Sequence, residues 1–174
     1  MSTHIGGRTL ARSQALQLLF QAEANSRAVL SVLDGDYVLW DAEPLDDYAR
    51  RLALGADEMR PDLDAIISVR STGWSLGRLN AVDRNLLRLA LYEMLCVDDV
   101  DLAVTINECV ELAKAYGTDE SSRFVNGVLG RVSDDIEAGV DVIAAAREAA
   151  RERSGAEGDA ESPDPDGSAD DEAE

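Results

Sequence analysis

The sequence has little of what most catalytic and metal-binding proteins use. Among 174 residues there is one histidine, and there are two cysteines and four prolines. His4 with Cys96 and Cys109 matches no zinc-ligand spacing, and the two cysteines sit inside apolar helical patterns, which reads as buried thiols. No Gly-rich phosphate loop, no HExxH and no Ser/His or Cys/His pairing is present, so neither a catalytic residue nor a metal or cofactor site is expected. Glu108 and Glu111 form a carboxylate pair, but such a pair is far more often a solvated face or a cap than an acid–base couple. Apolar stretches such as Leu16–Phe20 are broken far short of the roughly 20 residues that cross a bilayer, and the N-terminus lacks an apolar signal segment. A soluble, cytoplasmic protein with no membrane association is expected.

Positive charge is also scarce: 16 Lys and Arg face 35 Asp and Glu, a net charge of -19. Composition alone therefore argues against a generic basic nucleic-acid-binding surface. The charge is unevenly placed, however. Residues 154–174 hold nine acids and no base, lack aromatic and β-branched residues, and include Pro163 and Pro165. Such a stretch buries too little apolar surface to offset its ordering entropy, and is expected to be a disordered acidic tail. Residues 1–153 keep 26 acids against 16 bases, about -10. The first acid is Glu23, so His4, Arg8 and Arg12 make a locally positive start.

Apolar residues recur at helical spacing almost throughout, and no useful segment alternates with the period of a half-buried strand. The pattern predicts an all-α helical bundle in residues 1–153, made of two small packed subdomains at about 8–73 and 74–153. The expected helices run from Arg8 to Ala24, from Arg27 to Leu33, from Pro44 through Ala56, and from Pro61 to about Gly73. In the second half they run from Ala81 to Val97, from a cap at Thr105 or Asp101 to Gly117, from about Asp119 through Val132, and from Ile136 to Arg151. Thr105 and Glu108 have the form of a capping box. Asn126-Gly127 is a turn signal inside an unbroken helical stripe; the helix is favoured, with Gly127 placed for close approach of a backbone or ligand, although a plain helix-packing glycine is the commoner use. Arg123-Phe124 near the start of that helix could stack a base and hold a phosphate, although a core phenylalanine is the commoner use.

Four ordered blocks carry a more specific signal. They are Trp-Ser-Leu-Gly-Arg-Leu at 74–79, Val-Asp-Arg-Asn-Leu-Leu-Arg-Leu-Ala-Leu-Tyr-Glu at 82–93, Ile-Asn-Glu-Cys-Val-Glu-Leu-Ala-Lys at 106–114 and Phe-Val-Asn-Gly-Val-Leu at 124–129. With the first-helix segment at 11–21, they resemble the NusB family of bacterial transcription antitermination factors over about residues 8–135. The resemblance implies a non-enzymatic role in an RNA polymerase antitermination complex. There, with the ribosomal protein that serves as NusE, the protein would bind single-stranded boxA RNA of nascent ribosomal RNA transcripts and promote read-through. It further implies RNA contacts at Arg8, Arg12, Arg123, Phe124 and Asn126, with Lys114 as an added cation, and a partner-facing surface at Phe20, Asp83 and Arg84. A second copy of the chain is a further candidate partner.

Two departures bear on this reading. Thr9 and Leu10 separate Arg8 from Ala11 where the family often has a dense arginine cluster, so fewer phosphates can be neutralised. Asp101 stands where many members have proline, and can still cap the helix that follows. The competing reading is an adaptor that binds basic partners without touching RNA. NusB-like domains also precede ribosomal RNA cytosine methyltransferases, but that reading needs an α/β cofactor-binding pattern, which these residues do not show.

Overall fold

Residue 7 is a glycine because the first helix starts from a backbone that other residues rarely adopt: Gly7 has φ 74° and serves as the N-cap. A computed structural model describes residues 7–41 and 43–158. The helices are α1 (Arg8–Ala24), α2 (Val29–Leu33), α3 (Asp47–Glu58), α4 (Arg60–Arg70), α5 (Ala81–Cys96), α6 (Leu102–Tyr116), α7 (Ser121–Glu137) and α8 (Val142–Gly158), with a 3-10 turn at Leu76–Arg78. No strand occurs among the described residues, so the expected all-α class holds. The buried side chains form one continuous core through both halves of the chain.

Helix α1 is the central element. Its expected stripe of Ala11, Ala15, Leu18, Leu19 and Ala22 is buried, but so are Arg12, Ser13, Gln14 and Gln17 on its other faces. The glutamines explain how polar residues are tolerated there. Gln14 accepts from the Asp46 amide at 2.9 Å and donates to the Pro44 carbonyl at 3.1 Å. Gln17 accepts from the Trp40 amide at 2.8 Å, and Gln21 pairs with both the amide and the carbonyl of Val38 at 3.1 and 2.8 Å. Spaced three and four residues apart on one helix face, they satisfy the backbone of a loop that has no helix of its own.

That loop also moves the start of α3. A helix opening at Pro44 is not formed; Pro44 spends its carbonyl on Gln14, and Asp46 becomes the N-cap, accepting from the Tyr48 amide at 2.7 Å. Helix α4 starts where Pro61 permits, but stops at Arg70, where Ser71 returns its hydroxyl to the Ile67 carbonyl at 2.7 Å. Gly73, with φ 83°, then turns the chain. Where α3 crosses α5, Gly55 is required: a Cβ there would lie 2.0 Å from the Tyr92 ring.

The Thr105–Glu108 capping box is not formed. Asp101 takes the N-cap position of α6, Thr105 is buried and donates to Glu93 at 2.5 Å, and Glu108 accepts from Thr9 at 2.7 Å. A distant acid, Glu93, and a distant hydroxyl, Thr9, outcompete the local cap. Helix α7 runs straight through Asn126-Gly127, because Val125, Val128, Leu129 and Val132 are all buried. No atom lies within 4 Å of where a Gly127 Cβ would sit, so no backbone packs closely on it. Ile136 closes α7 rather than opening the last helix; Gly139, with φ 77°, separates α7 from α8. Helix α8 continues to Gly158, past the point where a disordered tail was expected to begin, and the rest of that segment, with His4, lies outside the described residues.

Gly55→Ala should destabilise the fold by about 1–3 kcal/mol, the usual range for overpacking, as read by urea unfolding. Shrinking the opposing ring with Tyr92→Leu should recover part of that loss.

Candidate functional site

Two concavities flank the start of α5. The first is a cleft of about 520 Å³ whose walls include Trp74, Arg78, Asp83, Arg123, Phe124 and Arg131. Arg123, Gly127 and Arg131 follow one another at helical spacing of four on α7, which aligns two exposed guanidinium groups along one wall with no side chain between them. Phe124 is half-buried against the core, and Trp74, 55% exposed, stands on the turn closed by the Ser71–Trp74 hydrogen bonds. The start of α7 is set by Ser121, whose hydroxyl accepts from the Thr118 amide at 2.9 Å.

The opposite wall is held by ions. Arg84 donates from Nη1 to the carbonyls of Leu76 and Leu79 at 3.2 and 2.6 Å, and from Nε to both Glu23 oxygens at 3.1 Å. Arg88 joins Glu23 at 2.5 Å to Asp64 at 2.6 Å. Burial opposes the charge on Glu23, but hydrogen bonds and charge from Arg84 and Arg88 overcome it and hold the carboxyl down to about 2. The 3-10 turn that carries Arg78 is thereby fastened to α1 and α4.

The second concavity is an apolar groove of about 300 Å³ walled by Leu16, Phe20, Val38, Trp40, Val82 and Tyr116. Trp40 packs on Tyr116 with ring centroids 5.1 Å apart and planes at 54°. Phe20, Val38 and Trp40 remain exposed although they are large and apolar. The glutamine contacts of α1 hold Val38 and Trp40 there.

The expected site residues divide among these places. Arg123 and Phe124 share the cleft, while Asn126 is exposed on α7 but is not part of the cleft wall. Arg8 is exposed, pairs with Asp99 at 2.5 Å and sits 4.8 Å over the Tyr48 ring. Lys114 is exposed beside Glu111 at 2.7 Å. Such surface pairs contribute about 0–1 kcal/mol and are readily exchanged for a phosphate. Arg12 is different: it is 2% exposed and makes two 3.0 Å bonds to Glu93. Its guanidinium is committed to the core and offers no face to a phosphate, so it positions α1 instead. Phe20 lies in the groove and Asp83 in the cleft, whereas Arg84 is consumed by the Glu23 clamp and is not free to meet a partner. Trp74, Arg78, Arg131 and Trp40 were not singled out from sequence as functional. The four-residue spacing of Arg123, Gly127 and Arg131 was the available signal for one of them.

The comparisons with known proteins agree with this architecture. Residues 9–134 match the model of the NusB family. The chain is 42% identical over 130 residues to the transcription antitermination protein NusB of Saccharopolyspora erythraea, covering 74% of this chain and 88% of that one. The solved NusB of T. maritima superimposes with a TM-score of 0.67 at 37% identity, covering 75% of this chain and 92% of that one. A crystal structure of the antitermination factors NusB and NusE in complex with double-stranded RNA matches with a TM-score of 0.60 at 26% identity, covering 73% of this chain and 96% of the matched chain. The fold is thus that of a non-enzymatic transcription antitermination factor. The chain belongs to the NusB family.

The charge clusters make two outcomes testable. Arg12→Met should destabilise the protein by about 3–5 kcal/mol, because it leaves Glu93 charged and buried without its cation. Glu23→Gln should lower stability at pH 7 by about 1–2 kcal/mol, allowing for its partial exposure. Because the Glu23 carboxyl is depressed in the fold, this stabilisation is complete above the ordinary 4.5 and is lost as pH falls toward about 2. The difference between wild type and variant in chemical unfolding should therefore shrink across that acid window.

Proposed function

We propose that this protein binds boxA-type single-stranded RNA of nascent ribosomal RNA transcripts jointly with the ribosomal protein that serves as NusE. In that complex it promotes read-through by RNA polymerase in the cytoplasm. The observation that supports this best is the gathering of Arg78, Arg123 and Arg131 around Phe124 on a body whose overall charge is strongly negative. A few cations and an aromatic face are what single-stranded RNA recognition requires. A related pair of NusB and NusE proteins has been crystallised with RNA, there double-stranded.

Arg8, Lys114 and Asn126 supply further polar contacts from exposed positions, and Arg12 acts by holding α1 in place. The partner docks on the Phe20 groove, where apolar area is already exposed. A basic partner meets an acidic body and brings cations beside the RNA, so the joint site binds better than either protein alone. The groove equally suits an adaptor that never touches RNA, and a second copy of the chain could occupy it in the partner's absence. Sedimentation with and without the ribosomal protein reads that exchange.

Titrating labelled boxA RNA with this protein, with the partner and with both, at several salt concentrations, tests the reading. Cooperative binding is expected, with a salt slope that reflects a small number of phosphate contacts. Phe124→Ala in a correctly folded variant should weaken binding by about 1–3 kcal/mol, the range for loss of one base stack. Equal affinity with and without the partner would refute joint recognition, and unchanged affinity of the variant would remove Phe124 from the site.

A further inference from the structure

Arg8 and Thr9 open α1, and acids from a distant part of the chain claim both of them. Arg8 Nη2 donates to Asp99 Oδ2 at 2.5 Å, and the Thr9 hydroxyl donates to Glu108 at 2.7 Å. Helix α1 has no acid before Glu23, so the counter-ion of Arg8 comes from the loop between α5 and α6. Two further contacts define this corner. The Arg8 guanidinium lies 4.8 Å over the Tyr48 ring, and Tyr48 is itself fixed by its 2.5 Å hydrogen bond to the buried Glu93. Arg51, three residues beyond Tyr48 on α3, donates to the Cys96 carbonyl at 3.2 Å. The Arg8 hydrogen bond holds the Asp99 carboxyl below the ordinary carboxylate range, and the charge of Arg51 acts on it in the same direction. Asp99 therefore feels two cations, one of them not bonded to it.

We propose that Asp99 is a built-in competitor for Arg8, a carboxylate standing where an RNA phosphate would bind, which the strand must displace before it gains that cation. The role rests on the RNA-binding reading above and adds to it a residue that limits affinity. The side chains of Arg8 and Asp99 are 44% and 66% exposed, so their ion pair is weak enough to exchange. When the carboxylate leaves, Tyr48 keeps the guanidinium in place, because a cation–π contact uses the face of the cation and leaves its in-plane N–H groups to the phosphate. Asp99 then turns to Arg51 and is not left without a cation. A backbone phosphate carries the same single charge as the carboxylate, so a strand that meets α1 alone gains little by the exchange. A strand already anchored at a second point presents its phosphate at high local concentration and displaces Asp99. The competitor thus raises the threshold for retention and filters out RNA held at one point only.

Asp98 supplies the control, since it is exposed, carries the same charge one residue away, and forms no ion pair among the described residues. With end-labelled boxA RNA and the full chain, Asp99→Asn should tighten binding about two- to fivefold, the range open to an exposed ion pair, and Asp98→Asn by less than about twofold. In a chain that also carries Arg8→Ala, the excess gain of Asp99→Asn over Asp98→Asn should vanish, because the competitor then has no cation to occupy. Urea unfolding checks that every variant is folded; all three positions are exposed. Equal effects of Asp99→Asn and Asp98→Asn, or an excess gain that persists with Arg8→Ala, would overturn the competitor and leave RNA binding standing. So would weaker binding by Asp99→Asn, which would make Asp99 an aid that aligns Arg8 for RNA. Failure of every chain to bind the RNA, even with the ribosomal partner present, would overturn both readings.

Discussion

The carboxylate of Glu93 is 1% exposed, and three other helices converge on it. Arg12 of α1 reaches it with two bonds, Tyr48 of α3 donates at 2.5 Å, and Thr105 of α6 donates at 2.5 Å. A charge this deep is tolerable only when it is paired and its lone pairs are filled, so the four helices must meet in one relative arrangement. Burial raises the Tyr48 hydroxyl well above the ordinary tyrosine range, with the Glu93 hydrogen bond and charge adding to it, which keeps that donor protonated. The core could have been sealed with apolar side chains, but those would tolerate sliding. The ion pair specifies the register of α1 against α5, and both concavities depend on that register.

A second cluster, Glu23 with Arg84, Arg88 and Asp64, lies along the same two helices. One turn before Glu23 on α1 is Phe20 of the apolar groove, and one residue before Arg84 on α5 is Asp83 of the cleft. Val82 of the groove and Asp83 of the cleft are neighbours on α5, so the two concavities share the start of that helix. The charge of about -10 on residues 1–153 bears on the proposed function as selectivity: a body that repels most phosphates would retain RNA only where the few exposed arginines, an aromatic face and a basic partner coincide.

The helices were legible because their signals are local. Alanine and leucine spacing gives α1 with the bounds observed, and the apolar stripe of α7 outweighs an Asn-Gly turn because burial of four apolar side chains exceeds the roughly 1 kcal/mol disadvantage of glycine. The errors have a common cause. Pro44, Thr105 and Glu108 each carry a local signal for a helix start, and in each case a residue 12 or more positions away claims the same polar group. Gln14, Gln17 and Gln21 carry no local signal of their role, yet they are the hydrogen-bonding partners of a distant loop.

By itself the sequence determined the helical class, the register of most helices, the family and the proximity of Arg123 to Phe124, since periodicity and short motifs act within a few residues. Tertiary structure alone decided which charges remain available. Arg8, Arg12, Arg84, Arg88 and Arg123 look alike along the chain, but a guanidinium is either a structural ion or a ligand contact according to whether a carboxylate from another helix lies within reach. Folding buries Arg12 and Arg88 against Glu93, Glu23 and Asp64, and it leaves Arg123 and Arg131 exposed in the cleft with Asp83 behind them. Desolvation and pairing over long separations, which no local pattern encodes, separate the two sets.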